Sequence, residues 1–90
     1  MNVRALLTRE ELARMIDHTL LDPSSTYDTV RNHCKEAAKW NFAAVCINPV
    51  HVRLVSQLLA NSKVKVCTVI GFPFGATFTK VKAFETGLAI

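Results

Sequence analysis

Cysteine and histidine are scarce in this sequence, and their scarcity excludes several kinds of site. The chain has three cysteines, an odd number with no C-x-x-C pair, and each lies among apolar neighbours: Cys34, Cys46 and Cys67. We therefore predict neither a disulfide framework nor a zinc site, and we expect reduced thiols. The three histidines stand apart from one another: His18, His33 and His51. Because no H-E-x-x-H or carboxylate cluster surrounds them, we predict no metal and no cofactor.

Long apolar runs are missing as well. No segment approaches the roughly 18 uninterrupted apolar residues of a membrane span. The opening stretch, MNVRALLTREELARM, carries charges where a secretory signal would need its apolar centre. We therefore expect no membrane association and a cytoplasmic location.

The chain carries an excess of positive charge but no motif typical of nucleic acid binding. There are 11 basic against 7 acidic side chains, a net charge of +4. Such an excess suits an anionic partner, but the aromatic residues do not interleave with the basic ones as they do in single-strand binders. We expect no nucleic acid partner. The charge fits either a phosphorylated small molecule or a solvated lysine face.

The sequence does contain a regular alternation of helix and strand signals. No repeat or linker divides it, so residues 1–90 are predicted to belong to one domain. A capping box at Thr8 and Glu11 predicts a short leading helix over residues 9–15. Capping residues and helical spacing predict three more helices, over residues 26–40, from Asn48 and Pro49 to residue 60, and from Thr77 or Thr79 to the last residue.

Three apolar segments rich in β-branched residues predict strands, over residues 16–20, 42–47 and 64–70. The second is apolar throughout, as is typical of a strand covered on both faces. Strands alternating with helices predict parallel pairing and an α/β fold. Both an open doubly wound sheet and a β/α barrel satisfy this pattern. The barrel is favoured because the first strand-to-helix turn, DPSST, has no G-x-G-x-x-G.

In both architectures, ligands bind at the carboxyl ends of the strands. The residues predicted there are Asp17, Thr19, Leu21, Cys46, Asn48 and the loop 71–75. Asp17 is a carboxylate inside an apolar strand, where burial without partners is costly. It either accepts hydrogen bonds from amides or a lysine in a structural role, or it serves catalysis. His18 is expected on the opposite side of the strand, so the two do not form a dyad.

Cys46 and the glycine loop also have two interpretations each. No base or cation adjoins Cys46 in sequence, so a packed or substrate-contacting thiol is favoured over a nucleophile. The loop GFPFG lacks the P-loop pattern, and two glycines with a proline are common wherever a strand turns sharply. A turn is the simpler interpretation, and ligand contact is the alternative.

Three longer motifs carry a more specific signal. "IDHTLLDP", "EAAKWNFAAVCINP" and "VKVCTVIGFPFGATFTKVKAFE" closely resemble, in order and spacing, the amino-terminal part of the deoxyribose-phosphate aldolase family. The resemblance covers nearly the whole chain. It implies the amino-terminal part of a (β/α)8 TIM barrel, with about three β/α units after a short leading helix.

The resemblance also implies an activity. The family is a class I aldolase that reversibly cleaves 2-deoxy-D-ribose 5-phosphate to glyceraldehyde 3-phosphate and acetaldehyde, without a metal. Its chemistry requires a neutral lysine amine that forms a Schiff base. By resemblance, Asp17 supports the active-site network, Thr19 and Leu21 line the substrate pocket, and Cys46 lies beside the substrate.

The resemblance further implies that the Schiff-base lysine and the phosphate site belong to strands beyond Ile90. We therefore expect the isolated 90 residues to be inactive, and to self-associate or pair with the missing part of the barrel. Lys35, Lys39, Lys63, Lys65, Lys80 and Lys82 are not expected to replace the missing lysine. A stand-alone binding or assembly module built on a partial barrel is the alternative.

Overall fold

A computed structural model describes residues 6–90 as four α-helices and three strands in alternation. In chain order these are α1 (Arg9–Ala13), β1 (Asp17–Leu20), α2 (Tyr27–Trp40), β2 (Ala44–Ile47), a 3₁₀ turn (Pro49–His51), α3 (Val52–Leu58), β3 (Lys65–Thr68) and α4 (Thr79–Ala89). The predicted α/β alternation is confirmed. Within the described residues, no helix has both the length and the apolar character needed to cross a membrane.

Local side-chain contacts explain where the first two helices begin. The hydroxyl of Thr8 accepts from the Glu11 amide at 3.0 Å, and the Glu11 carboxylate accepts from the Thr8 amide, so the predicted capping box is confirmed. Thr26 caps α2 by accepting from the Thr29 amide at 3.2 Å. The helix ends at Trp40 and is followed by Asn41, which adopts the left-handed conformation with φ of 54°.

The three strands form one parallel sheet in the order β1-β2-β3. The central strand β2 is buried at all four positions, as its continuous apolar sequence predicts. Its register places Thr19 opposite Cys46, and Cys46 opposite Cys67. Side chains in register on parallel strands point to the same side of the sheet, so these three share a face.

The hydrophobic core lies on the other face of the sheet. Val45 and Ile47 of β2 pack there against residues of α2, α3 and the segments that follow α3: Val30, Cys34, Ala37, Val55, Leu59 and Val64. Ile47 and Val45 have no exposed surface. Helices therefore cover one side of the described sheet, which we call the core face.

α4 is attached differently, because none of its residues is buried. Two side chains tie it to the preceding loop: the Glu85 carboxylate accepts from the Gly71 amide at 2.7 Å, and the Lys82 ammonium donates to the Gly75 carbonyl at 3.1 Å. Its apolar side chains remain exposed, including Phe84 and Leu88. The helix is thus held to the loop by polar contacts of Lys82 and Glu85 instead of by a core.

Several predicted boundaries were wrong. The leading helix ends at Ala13, and all three strands are shorter than predicted. The single helix predicted after Asn48 is divided into a 3₁₀ turn and α3, and the Asn48 side chain makes no capping hydrogen bond. Its amide donates to the Leu21 carbonyl at 3.2 Å instead, and so ties together the segments that follow β1 and β2.

Candidate functional site

The candidate site is the side of the sheet opposite the core. Alternation along the strands and the register place six residues there, which we call the open face: Asp17, Thr19, Ala44, Cys46, Lys65 and Cys67. Three of the four residues predicted as functional, Asp17, Thr19 and Cys46, therefore share one surface. His18 lies on the core face against α2, as predicted.

Asp17 does not lie where the sequence predicted it. It begins β1, so it is at the amino end of the strand and not at the carboxyl edge of the sheet. It is also exposed, because the open face has no helix over it in residues 6–90. The prediction that Asp17 is buried, and therefore needs a hydrogen-bonding partner, is wrong for the described residues.

Thr19 and Leu21 continue β1 toward the carboxyl edge. The Thr19 hydroxyl donates to the Asp17 carbonyl of its own strand at 2.9 Å, and its side chain is exposed on the open face. Leu21 follows the last residue of β1, half-buried, and its carbonyl accepts the amide of Asn48. Asp17 and Thr19 are thus alternate residues of β1, and Leu21 is the next alternate position, just beyond the end of the strand.

Cys46 is buried between its strand neighbours. Burial raises the pKa of its thiol to about 11, and the adjoining Cys67 thiol and the Asp17 charge contribute in the same direction. A thiol with so high a pKa carries little thiolate at neutral pH, and the thiolate is the nucleophilic form. The arrangement therefore favours a contact role for Cys46 over a nucleophilic one.

The glycine loop makes the turn that its composition predicted. Gly71 and Gly75 have φ of 60° and 64°, in the left-handed region, and the Gly75 amide donates to the Gly71 carbonyl at 2.6 Å. The Phe72–Pro73 peptide bond is cis. Phe74 is 88% exposed, so it does not pack beneath the following helix.

A histidine cluster was missed by the sequence analysis, which treated the histidines as isolated. The rings of His18 and His33 stack at 3.8 Å between centroids with an interplanar angle of 3°. His33 Nε2 lies 2.8 Å from the His18 carbonyl, and His18 Nε2 lies 3.0 Å from the Glu36 carboxylate. The signal was available, since His33 and Glu36 are three apart on the helix and can face the strand together.

Comparison with known proteins finds relatives that match most of this chain. The chain is 55% identical to the deoxyribose-phosphate aldolase of Clostridium perfringens over 84 residues, which are 93% of this chain and 38% of the relative. It is 58% identical to that of Halalkalibacterium halodurans over 80 residues, or 88% of this chain and 36% of the relative. No family model matches the chain.

A solved structure agrees with the sequence matches. The deoxyribose phosphate aldolase of Aeropyrum pernix, described as tetrameric, superposes with a TM-score of 0.85 at 39% identity, covering 91% of this chain and 35% of that one. The chain is homologous to deoxyribose-phosphate aldolases. It spans only about 38% of the length of the Clostridium perfringens relative.

The homology to deoxyribose-phosphate aldolases shows which kind of fold the sheet belongs to. The three parallel strands with their helices form part of a (β/α)8 barrel, as predicted. Strands of such a barrel are covered by helices outside and by each other's side chains inside. The core face of the sheet is accordingly the outer side, and the open face is the side that a complete barrel encloses.

The lysines lie at several places around the sheet. Lys65 begins β3, at the end away from the carboxyl edge as predicted, and lies in register with Ala44 on the open face. Lys82 is engaged by the Gly75 carbonyl. Lys35 and Lys39 lie on α2, on the outer side of the sheet.

Proposed function

We propose that this chain supplies one wall of the active site of a deoxyribose-phosphate aldolase, which cleaves 2-deoxy-D-ribose 5-phosphate reversibly to glyceraldehyde 3-phosphate and acetaldehyde. The single observation that supports the proposal most is that Asp17, Thr19 and Cys46 share the open face. Residues picked from two separate motifs, Asp17 and Thr19 from one and Cys46 from the other, are brought to one surface by register and alternation. The homology to aldolases of that name supports the reaction class.

In this proposal Asp17 supports proton transfer within the site, and Thr19 and Leu21 line the substrate pocket. Asp17 is suited to the first role because its carboxylate is exposed on the open face and no lysine or arginine lies within ion-pair distance of it among residues 6–90. Cys46 lies beside the substrate as a protonated thiol, in keeping with its raised pKa. No metal is required, because an imine to a lysine serves as the electron sink.

The lysine that forms the imine is proposed to lie outside these 90 residues, and the isolated chain is proposed to be inactive. Lys65 is the one lysine in β1, β2 or β3, and we follow the family resemblance in taking the imine-forming lysine from a later strand and not from β3. Without the lysine the covalent route is removed and not merely slowed.

Pairing with the rest of a barrel, or with another copy, is part of the same proposal. In residues 6–90 each of the outer strands, β1 and β3, pairs on one side only. Unpaired strand edges present amide and carbonyl groups that seek a partner. The exposed apolar side chains of α4 add to this, among them Phe84 and Leu88.

Borohydride trapping tests the catalytic part directly. The 90-residue chain is incubated with 2-deoxyribose 5-phosphate and borohydride, alone and after co-expression with the complementary part of the Clostridium perfringens relative. We expect no covalent adduct on the isolated chain and an adduct on the complementary part in the mixture. An adduct that maps to any lysine of this chain would contradict the proposal.

A matched pair of substitutions then tests the site assignment. In the reconstituted enzyme, Asp17→Asn removes a charge from the open face while keeping the shape, and we expect a loss of kcat of about 100-fold or more, the usual size of an acid or base contribution. Asp28→Asn removes a charge from the exposed first turn of α2 and should leave activity unchanged. Equal effects of the two would contradict the role of Asp17.

The alternative of a stand-alone binding or assembly module predicts a different result. Saturable binding of 2-deoxyribose 5-phosphate by the isolated chain, measured by calorimetry, would favour the module. Under the aldolase proposal the isolated chain binds the sugar phosphate negligibly, because the remaining pocket residues are missing.

A further inference from the structure

Cys46 and Cys67 form a pair that the proposed aldolase mechanism does not require. They are direct register partners on adjacent parallel strands, and both side chains lie on the open face. Both are free thiols, Cys46 buried and Cys67 partly exposed. The neighbouring Cys67 thiol contributes to the raised pKa of Cys46, and the Cys67 Sγ itself donates to the Thr68 carbonyl at 3.8 Å.

The geometry suits a ligand that takes two thiols at once. Neighbouring strands lie about 4.8 Å apart, and in-register side chains point the same way. Two thiols on one rigid sheet can reach one central atom by rotation of their side chains, so the second bond is intramolecular and costs little entropy. The third cysteine, Cys34, belongs to the core cluster on the opposite face and cannot join them.

A zinc ion does not fit this pair. Structural zinc needs four ligands, and its thiol ligands must be deprotonated. No cluster of three or more histidine, cysteine or acidic side chains suited to a metal ion exists within residues 6–90. A site with two protonated thiols instead matches a thiophilic centre that exchanges an oxygen for two sulfur atoms.

We propose that Cys46 and Cys67 form a two-thiol site that binds trivalent organoarsenicals and other thiophilic ligands of the same valence through both sulfur atoms. With an arsenoxide, two S–H bonds and the arsenic–oxygen bonds break, two arsenic–sulfur bonds form, and the oxygen leaves as water with both protons. No electron is transferred. The partly exposed Cys67 reacts first, and Cys46 then closes the ring.

A ligand bound to Cys46 and Cys67 would also affect the rest of the open face. Cys46 is the register partner of Thr19, and the Asp17 charge acts on its thiol. A ligand held by both sulfur atoms would therefore cover the centre of the open face. Binding itself depends only on the sheet and is independent of the proposed aldolase activity.

Phenylarsine oxide is the probe, applied to the 90-residue chain under native conditions and analysed by intact mass and by titration of free thiols. We expect one phenylarsenic group per chain, two thiols lost, and an adduct that resists excess monothiol but is removed by a dithiol. Cys34→Ser should keep this behaviour. Cys67→Ser and Cys46→Ser should each bind about 100-fold more weakly or worse, since only one sulfur remains at the site.

Unfolding supplies a second control that keeps the test sharp if a variant folds poorly. In denaturant, Cys67→Ser should gain a monothiol-resistant adduct, because Cys34 and Cys46 can then meet in a flexible chain. Circular dichroism confirms which samples are folded. A monothiol-resistant adduct on folded Cys67→Ser, or only a monothiol-sensitive adduct on the unsubstituted chain, would overturn the proposal.

Discussion

The first two helical crossovers and the last helix of this chain differ in how they meet the sheet. α2 buries Val30, Cys34 and Ala37 against the core face, whereas α4 buries nothing and is joined to its loop by two polar contacts. The sequence predicts both α2 and α4 as helices. The comparison shows that an amphipathic sequence specifies a helix and its apolar side, but burial requires a second surface to be present.

The difference follows from the position of each helix in a parallel sheet. A crossover helix packs on the two strands that it connects. α2 connects β1 to β2 and α3 connects β2 to β3, and both find those strands in place. α4 follows β3, the outer strand of the described sheet, so within residues 6–90 it has no second strand to pack on.

The largest expected difference between the packed core and α4 is the loss of unfolding free energy when an apolar side chain is truncated. Ile47→Ala removes a side chain with no exposed surface, and large-to-small changes at such positions cost about 2–5 kcal/mol of unfolding free energy. Leu88→Ala on α4, where the side chain is 72% exposed, should change it by less than about 0.5 kcal/mol. Urea unfolding at equal protein concentration measures both. A comparable loss for Leu88→Ala would show that α4 is packed in solution.

The second effect concerns the loop that holds α4. Gly71 has φ of 60°, and a Cβ there would meet the Lys82 side chain at 3.3 Å, so Gly71→Ala should cost about 1–2 kcal/mol locally. Hydrogen exchange of the α4 amides should accelerate about 5- to 30-fold. Gly87→Ala, where a Cβ meets nothing, should slow exchange by improving helix propensity. Unchanged exchange in Gly71→Ala would mean that the loop does not hold the helix.

The smallest effect is a pH dependence, confined to the packed region. Burial, followed by the nearby His33 charge, lowers the pKa of His18 below its ordinary value of 6.5, against the opposing influence of Glu36. The unfolded chain then binds more protons than the folded one near that value, so stability is lost as pH falls through 6.5 and below. Urea midpoints at pH 7.5 and 5.5 should differ in this direction.

Substituting the histidine checks the assignment of that dependence. His18→Asn should flatten the difference, since it removes the titrating ring and its stack on His33. His51→Asn, at the buried histidine of the 3₁₀ turn, is the control variant. It should keep the part of the pH dependence of stability that His18 contributes. A stability that rises toward acid pH in the unsubstituted chain would contradict the prediction.

Much of the site could be predicted from the sequence, but its depth in the sheet could not. Alternation along β1 is a local property, so Asp17 and Thr19 were correctly separated from His18. The end of the strand at which Asp17 lies depends on where pairing with β2 begins, which is decided between strands. The same holds for Cys46 and Cys67, whose pairing arises only from the register of β2 and β3.

Local chemistry in the sequence determined the helix caps at Thr8 and Thr26, the turn at Gly71 and Gly75, the central position of β2 and the family to which the chain is related. Each of these depends on neighbours in the chain or on a pattern of residue types. The tertiary structure alone decided the stack of His18 on His33, the partnering of Cys46 with Cys67 and the exposure of α4. These depend on register and on which surfaces are present to cover an apolar side, and neither is a property of any single segment.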